Sequence, residues 1–149
     1  MSAGAAAHRA RSLARRLALQ ALYQMQINPH PWQDVHRQFA ADPEASRVDL
    51  EYFRELIEGV AANREALDLR LSRLCEIPPH ELDPIEHAVL WLGVHELESY
   101  AELPYRVAIA EAVQLSKQFG ATDGHKFVNA VLDRAAQELR AQEYGHPAQ

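Results

Sequence analysis

The sequence predicts an all-α protein, a helical bundle with short connections. Three observations carry that prediction. Apolar residues recur every three or four positions along most of the chain, from Leu13 to Leu139. Proline, glycine and capping residues cut this pattern into helix-length pieces. No segment alternates polar and apolar residues as a half-buried strand would, and there is neither an internal repeat nor a low-complexity linker.

The elements follow in order. A first helix spans about Ala7 to Gln26, with Leu13, Leu17, Ala21 and Met25 spaced as a core stripe. Arg9 and Arg16 share one of its exposed faces, and Arg11 and Arg15 share another. Asn28-Pro29-His30-Pro31 stops it. A short helix from Trp32 to Phe39 ends at Asp42-Pro43-Glu44. Asp49 opens a helix carrying Phe53, Leu56, Ile57 and Val60, in which Gly59 permits close packing. A further helix from about Arg64 to Leu74, with Leu67, Leu71 and Leu74 on one face, ends at Ile77-Pro78-Pro79. Asp83 is then placed as an N-cap, Pro84 as the first helical residue and Glu86 as the third, the pattern of a capping box. The helix they open is apolar nearly all round, so it belongs at the centre of the bundle. Pro104 starts the next helix, and Gly120 is placed as the residue after its end, where a left-handed backbone is expected. Thr122 or Asp123 can cap the last helix, whose stripe is Phe127, Val131, Ala135 and Leu139 and which runs to about Gln142.

A length of 149 residues with 48% hydrophobic side chains fits one globular domain over 1–149, with ends (about 1–8 and 144–149) expected to be flexible. The single cysteine, Cys75, excludes an internal disulfide and fits a reducing compartment. The N-terminus has no apolar signal core, and no apolar run approaches a membrane span, so a soluble, cytoplasmic protein without membrane contact is expected.

Catalytic motifs fail on inspection. His80-Glu81 and His95-Glu96 begin like a zinc-protease motif, but Pro84 and Ser99 stand where its second histidine is needed. No histidine pairs with Cys75 at a metal-ligand spacing, and no nucleophile elbow, dinucleotide fingerprint or phosphate loop is present. No enzyme, cofactor or metal is expected. Glu96 reads as a buried, hydrogen-bonded structural acid, and Cys75 as a small core or boundary residue.

Charge points elsewhere. The net charge is −6, yet the first 33 residues hold Arg9, Arg11, Arg15 and Arg16 and no acid. All 21 acidic side chains and 11 of the 15 basic ones follow. An acidic body repels a nucleic-acid backbone while a concentrated basic arm attracts it. The same arginines also fit a merely solvated terminus.

Arg15-Arg16-Leu17-Ala18-Leu19-Gln20-Ala21-Leu22-Tyr23-Gln24, Val48-Asp49 through Tyr52-Phe53 with Leu56 and Gly59-Val60, Asp83-Pro84-Ile85-Glu86-His87-Ala88-Val89-Leu90, and the stretch from Val107 to Asp133 together resemble the NusB family of transcription antitermination factors. The resemblance runs from about Arg9 to Ala136. It implies two packed three-helix units with a further helix. It also implies binding of boxA RNA together with NusE, a small-subunit ribosomal protein, within an RNA polymerase antitermination complex serving ribosomal RNA operons. Arg9, Arg11, Arg15 and Arg16 then correspond to the RNA-binding helix, and Asp123, His125 and Lys126 to a segment near the RNA. Tyr23 and Glu86 match positions facing NusE. Locally, Asp123 also reads as an N-cap, Tyr23 as a half-buried bundle residue, and Glu86 as part of the capping box. Phe119 and Phe127 read as core. Ala110, Trp91 and Ala130 depart from the family's usual Asn, Arg and Gly. The alternative is a homodimeric helical interaction module that binds RNA weakly. Some NusB-like domains are fused to RNA methyltransferases, for which this length leaves no room.

Overall fold

In a computed structural model, residues 2–145 of the protein are described. Helix α1 (Ala3–Ile27) starts four residues earlier than the expected Ala7. Ser2 caps it, its hydroxyl accepting from the Ala5 N–H at 3.1 Å, and the alanine-rich run after it has high helix propensity. Its buried face comprises Ala14, Ala18, Leu19, Ala21, Leu22 and Met25, while Leu13 and Leu17 stay half-buried. Helix α2 (Trp32–Ala40) buries Val35, and its His36 ring stacks on Phe53 at 5.4 Å. A 3-10 turn, Pro43–Arg47, follows, capped by Asp42 through the Glu44 N–H at 2.8 Å.

Asp49 opens α3 (Leu50–Leu74) as expected, accepting from the Tyr52 N–H at 3.0 Å. Its own N–H donates to the Ala10 carbonyl at 3.1 Å, tying the start of α3 to α1. Phe53, Leu56, Ile57 and Val60 are fully buried. The helix is interrupted at Asn63 (φ −119°, ψ 16°), whose side-chain amide donates to the Gly59 carbonyl at 2.8 Å. This side-chain bond falls where the helix leaves regular geometry. The chain divides here into two compact units, one up to Asn63 and one from Arg64.

In the second unit, Leu67, Leu71 and Leu74 line the end of α3. A 3-10 turn, Pro79–Glu81, leads to α4 (Pro84–Ser99), in which every residue from Ala88 to Leu97 is buried. This is the central helix that its all-round apolarity predicts. α5 (Tyr105–Phe119) and α6 (Gly124–Leu139) pack against it, and the short α7 (Ala141–Gly145) packs on α6. At Gly93 a Cβ would lie 2.6 Å from Leu132, so glycine is what lets α4 and α6 approach so closely.

The last helix does not run unbroken to Gln142. Arg140 leaves helical geometry (φ −128°, ψ 43°), and its guanidinium is buried. It donates to the carbonyls of Leu97, Tyr100 and Leu103 at 2.8–2.9 Å and to Glu143 at 2.7 Å. One side chain thus satisfies orphan carbonyls at the end of α4 and in the loop beyond it. Glu143 also accepts from the Tyr105 N–H at 2.9 Å, closing the start of α5. The expected flexible ends fall partly on α1 and α7; Met1 and residues 146–149 lie outside the described residues. Among the described residues there is no strand, and no helix is long and apolar enough to cross a membrane.

Candidate nucleic-acid interface

Arg9, Leu13, Arg16, Leu17 and Gln20 lie on one stripe of α1, spaced by helical periodicity. With Phe39 and the segment from Asp42 to Val48, they line a groove of about 450 Å³ in the first unit. Arg9 is exposed and Arg16 half-buried. A third arginine, Arg47, reaches the groove from the 3-10 turn. Sequence reading missed it because nothing in Asp42-Pro43-Glu44 announces that the turn folds back on α1. Arg47 pairs with Glu44 at 2.7 Å, both side chains mostly exposed, so water screens the pair.

Arg11 and Arg15 point elsewhere together, as their spacing predicts. Their guanidinium groups lie 4.8 and 5.4 Å from the centre of the Tyr52 ring. Arg11 remains exposed, 3.8 Å from Asp49. Arg15 does not: only 2% of it is accessible. The expectation of four solvent-facing arginines is therefore corrected to three, because the side of α1 that carries Arg15 is closed by Tyr52 of α3.

The second cluster surrounds the turn between α5 and α6. Gly120 is not left-handed; its backbone is extended (φ −93°, ψ −173°). Glycine is needed for space instead. A Cβ there would meet Glu86 Oε1 at 2.6 Å and the Ser116 carbonyl at 2.8 Å, and at Gly124 it would fall 1.9 Å from the same Glu86 oxygen. Glu86 Oε1 accepts from the Ala121 N–H at 3.2 Å. The carboxyl thus fastens the turn from beneath, and Glu86 is only 4% accessible. Asp83 caps α4 through the N–H groups of Ile85 and Glu86 at 3.0 and 3.2 Å. The reciprocal half of the capping box is not made, since the Glu86 carboxyl accepts from Ala121 and not from the Asp83 N–H. Burial, and then the neighbouring Asp83 carboxylate, push Glu86 up to about 7. Its hydrogen bond holds Asp83 below the ordinary carboxylate range.

Above this anchor, Asp123 occupies the N-cap position of α6, but its side chain makes no capping bond. It is exposed, 3.5 Å from the equally exposed Lys126 ammonium. His125, Phe119 and Phe127 are half-buried, so neither ring is fully core. Arg9, Arg16 and Arg47 belong to the first unit, and Asp123, His125 and Lys126 to the second.

Of the residues expected to face a partner, Tyr23 is 39% exposed and is followed one turn on by Ile27 at 63%. Glu86 is beneath the turn and not on an open surface. Trp91 is a core residue: its indole N–H donates to Asp68 at 2.8 Å, and Arg64 lies 4.7 Å over its ring. Ala110 and Ala130 are exposed. Cys75 is buried, which pushes its thiol up. Glu96 is buried, as expected. No group of His, Cys, Asp or Glu among the described residues could hold a metal ion.

Residues 12–137 match the NusB family. The transcription antitermination protein NusB of Teredinibacter turnerae is 48% identical over 135 residues, covering 90% of this chain and 92% of that protein. Among solved structures, T. maritima NusB superposes with a TM-score of 0.80 at 27% identity, over 92% of this chain and 97% of that one. The fold also matches a chain from a crystal structure of the antitermination factors NusB and NusE in complex with double-stranded RNA, with a TM-score of 0.76 at 22% identity, over 87% and 98%.

Proposed function

The chain belongs to the NusB family, and from that premise we propose that it binds boxA RNA jointly with NusE and so takes part in an RNA polymerase antitermination complex. One observation carries the reading: Arg9, Arg16 and Arg47 line a single groove on an otherwise acidic protein. Guanidinium groups suit phosphates and stack on bases. The acidic remainder limits binding by the protein alone, and a basic partner adds the positive surface that is missing. Lys126 and His125, held on a fastened turn, add a second contact. Tyr23 with Ile27 offers NusE an exposed apolar patch. Transcription in bacteria takes place in the cytoplasm, which is where this reading puts the protein. The function is binding, with no catalysed step.

The test is fluorescence anisotropy of labelled boxA RNA, with and without NusE, against a scrambled RNA at two salt concentrations. Partner-enhanced, sequence-selective binding that weakens with salt is expected. Equal binding of both RNAs with and without NusE would overturn the reading. A homodimer closed through the Tyr23–Ile27 patch would then take its place, and sedimentation would detect it.

A further inference from the structure

The arginine groove is recessed and chemically mixed, and a phosphate backbone alone does not account for it. Leu13 and Leu17 lie between Arg9 and Gln20 on the α1 stripe and are only half-buried, so they leave apolar surface in the groove. Asp42 and Glu44 line the same groove. A phosphate gains nothing from leucine and is repelled by carboxylates. A nucleobase gains from both. Its face covers apolar surface, its edge carries N–H donors that carboxylates accept, and guanidinium groups stack on it or hold the phosphate beside it. A recess of about 450 Å³ suits a single small group and cannot admit a duplex.

We propose that this recess is a nucleobase subsite. It takes one unstacked base of single-stranded RNA on Leu13 and Leu17, with Arg47 at its mouth and the flanking phosphate on Arg9 and Arg16. Asp42, whose carboxylate can only accept, favours a base with an exocyclic amino group over uracil, which presents a carbonyl at the corresponding position. One oxygen of Asp42 already accepts from the Glu44 N–H at 2.8 Å, and its other oxygen faces no such demand. The inference rests on the RNA-binding reading above and deepens it: it assigns Arg47 and the leucines a place in recognition that charge alone does not.

The experiment uses the full chain with NusE and a series of boxA RNAs, each with one abasic position. Leu17→Trp fills the recess without changing charge, and Arg47→Ala removes an exposed side chain whose ion pair with Glu44 is screened by water. In the wild type, one abasic position should weaken binding about tenfold, the cost of one lost stacked base. Leu17→Trp should lose a similar factor on intact RNA, show no further loss at that position, and keep the wild-type salt dependence. Arg47→Ala should weaken intact RNA and reduce the same abasic penalty. Should Leu17→Trp lose its helical circular dichroism, Arg47→Ala alone decides. Abasic penalties in the folded variants identical to wild type at every position would overturn the subsite while leaving RNA binding in place. Loss of boxA selectivity in the wild type itself would overturn both.

Discussion

Replacing Glu86 by glutamine should change how stability depends on pH. An ordinary glutamic acid titrates near 4.5, whereas Glu86 in the folded protein is pushed up to about 7. Below 4.5 the folded and unfolded chains both hold the proton, and Glu86 makes no pH-dependent contribution. Between 4.5 and 7 the unfolded chain releases it and the folded chain does not, so stability falls as pH rises. Above 7 the loss is complete, and the interval corresponds to about 3 kcal/mol at roughly 1.4 kcal/mol per pH unit. Asp83 runs the other way: it is held below its ordinary 3.8, so its contribution is present above that value and lost only below it. It is therefore constant over the Glu86 window. Glutamine keeps the shape of the protonated acid, can accept from the Ala121 N–H, and cannot ionise. Urea unfolding at several pH values from 4.5 to 8 measures the difference directly. Relative to wild type, Glu86→Gln should gain about 3 kcal/mol across that range. Parallel profiles within about 0.5 kcal/mol would refute the argument that a carboxyl under the turn ionises at the expense of the fold.

Other outcomes follow from single side chains. Arg140→Ala strips the carbonyls of Leu97, Tyr100 and Leu103 of their donor; it should cost about 3–5 kcal/mol, and melting followed by circular dichroism should fall by roughly 10 °C. Arg15→Glu and Arg16→Glu should separate. The first places a carboxylate in a buried site and destabilises the protein by several kcal/mol, read by urea unfolding. The second keeps the fold, weakens RNA binding, and reduces its salt slope by about one. Gly124→Ala, with its Cβ against Glu86, should cost about 1–3 kcal/mol. Gly4→Ala, where nothing lies within 4 Å, should stabilise the exposed helix by up to about 1 kcal/mol.

Much of the architecture is readable from residue order because local chemistry determines it. Asp83-Pro84 starts α4 as a cap and a first helical residue must, and the all-round apolarity of α4 places it inside. The cores of α3, Phe53 to Val60 and Leu67 to Leu74, follow from periodicity alone. α1 is harder. Leu13, Leu17, Ala21 and Met25 form one period-four row, and Ala14, Ala18 and Leu22 form the next, one residue on. The alanines prevail on the buried side, and this rotation by one residue puts Arg15 inside and leaves Arg16 beside a groove. Adjacent arginines look alike in a sequence; the neighbour that distinguishes them, Tyr52, lies 37 residues beyond Arg15 in the chain. The same holds for Gly120, Gly124 and Glu86, whose contact joins two helices, and for Arg140, whose acceptors lie about 40 residues earlier. Arg47 was hidden because a 3-10 turn carries no periodicity to follow.

The interruption at Asn63 has a temporal consequence. Synthesis proceeds from the N-terminus, and compact units form as their chain emerges. Every residue that shapes the recess, from Arg9 to Val48, precedes that interruption, and every residue of the Glu86-fastened turn follows it. The two candidate contact regions are therefore born in sequence. The arginine-lined recess has all its parts before the first residue of α4 is made, and no late-arriving helix has to thread back to complete it.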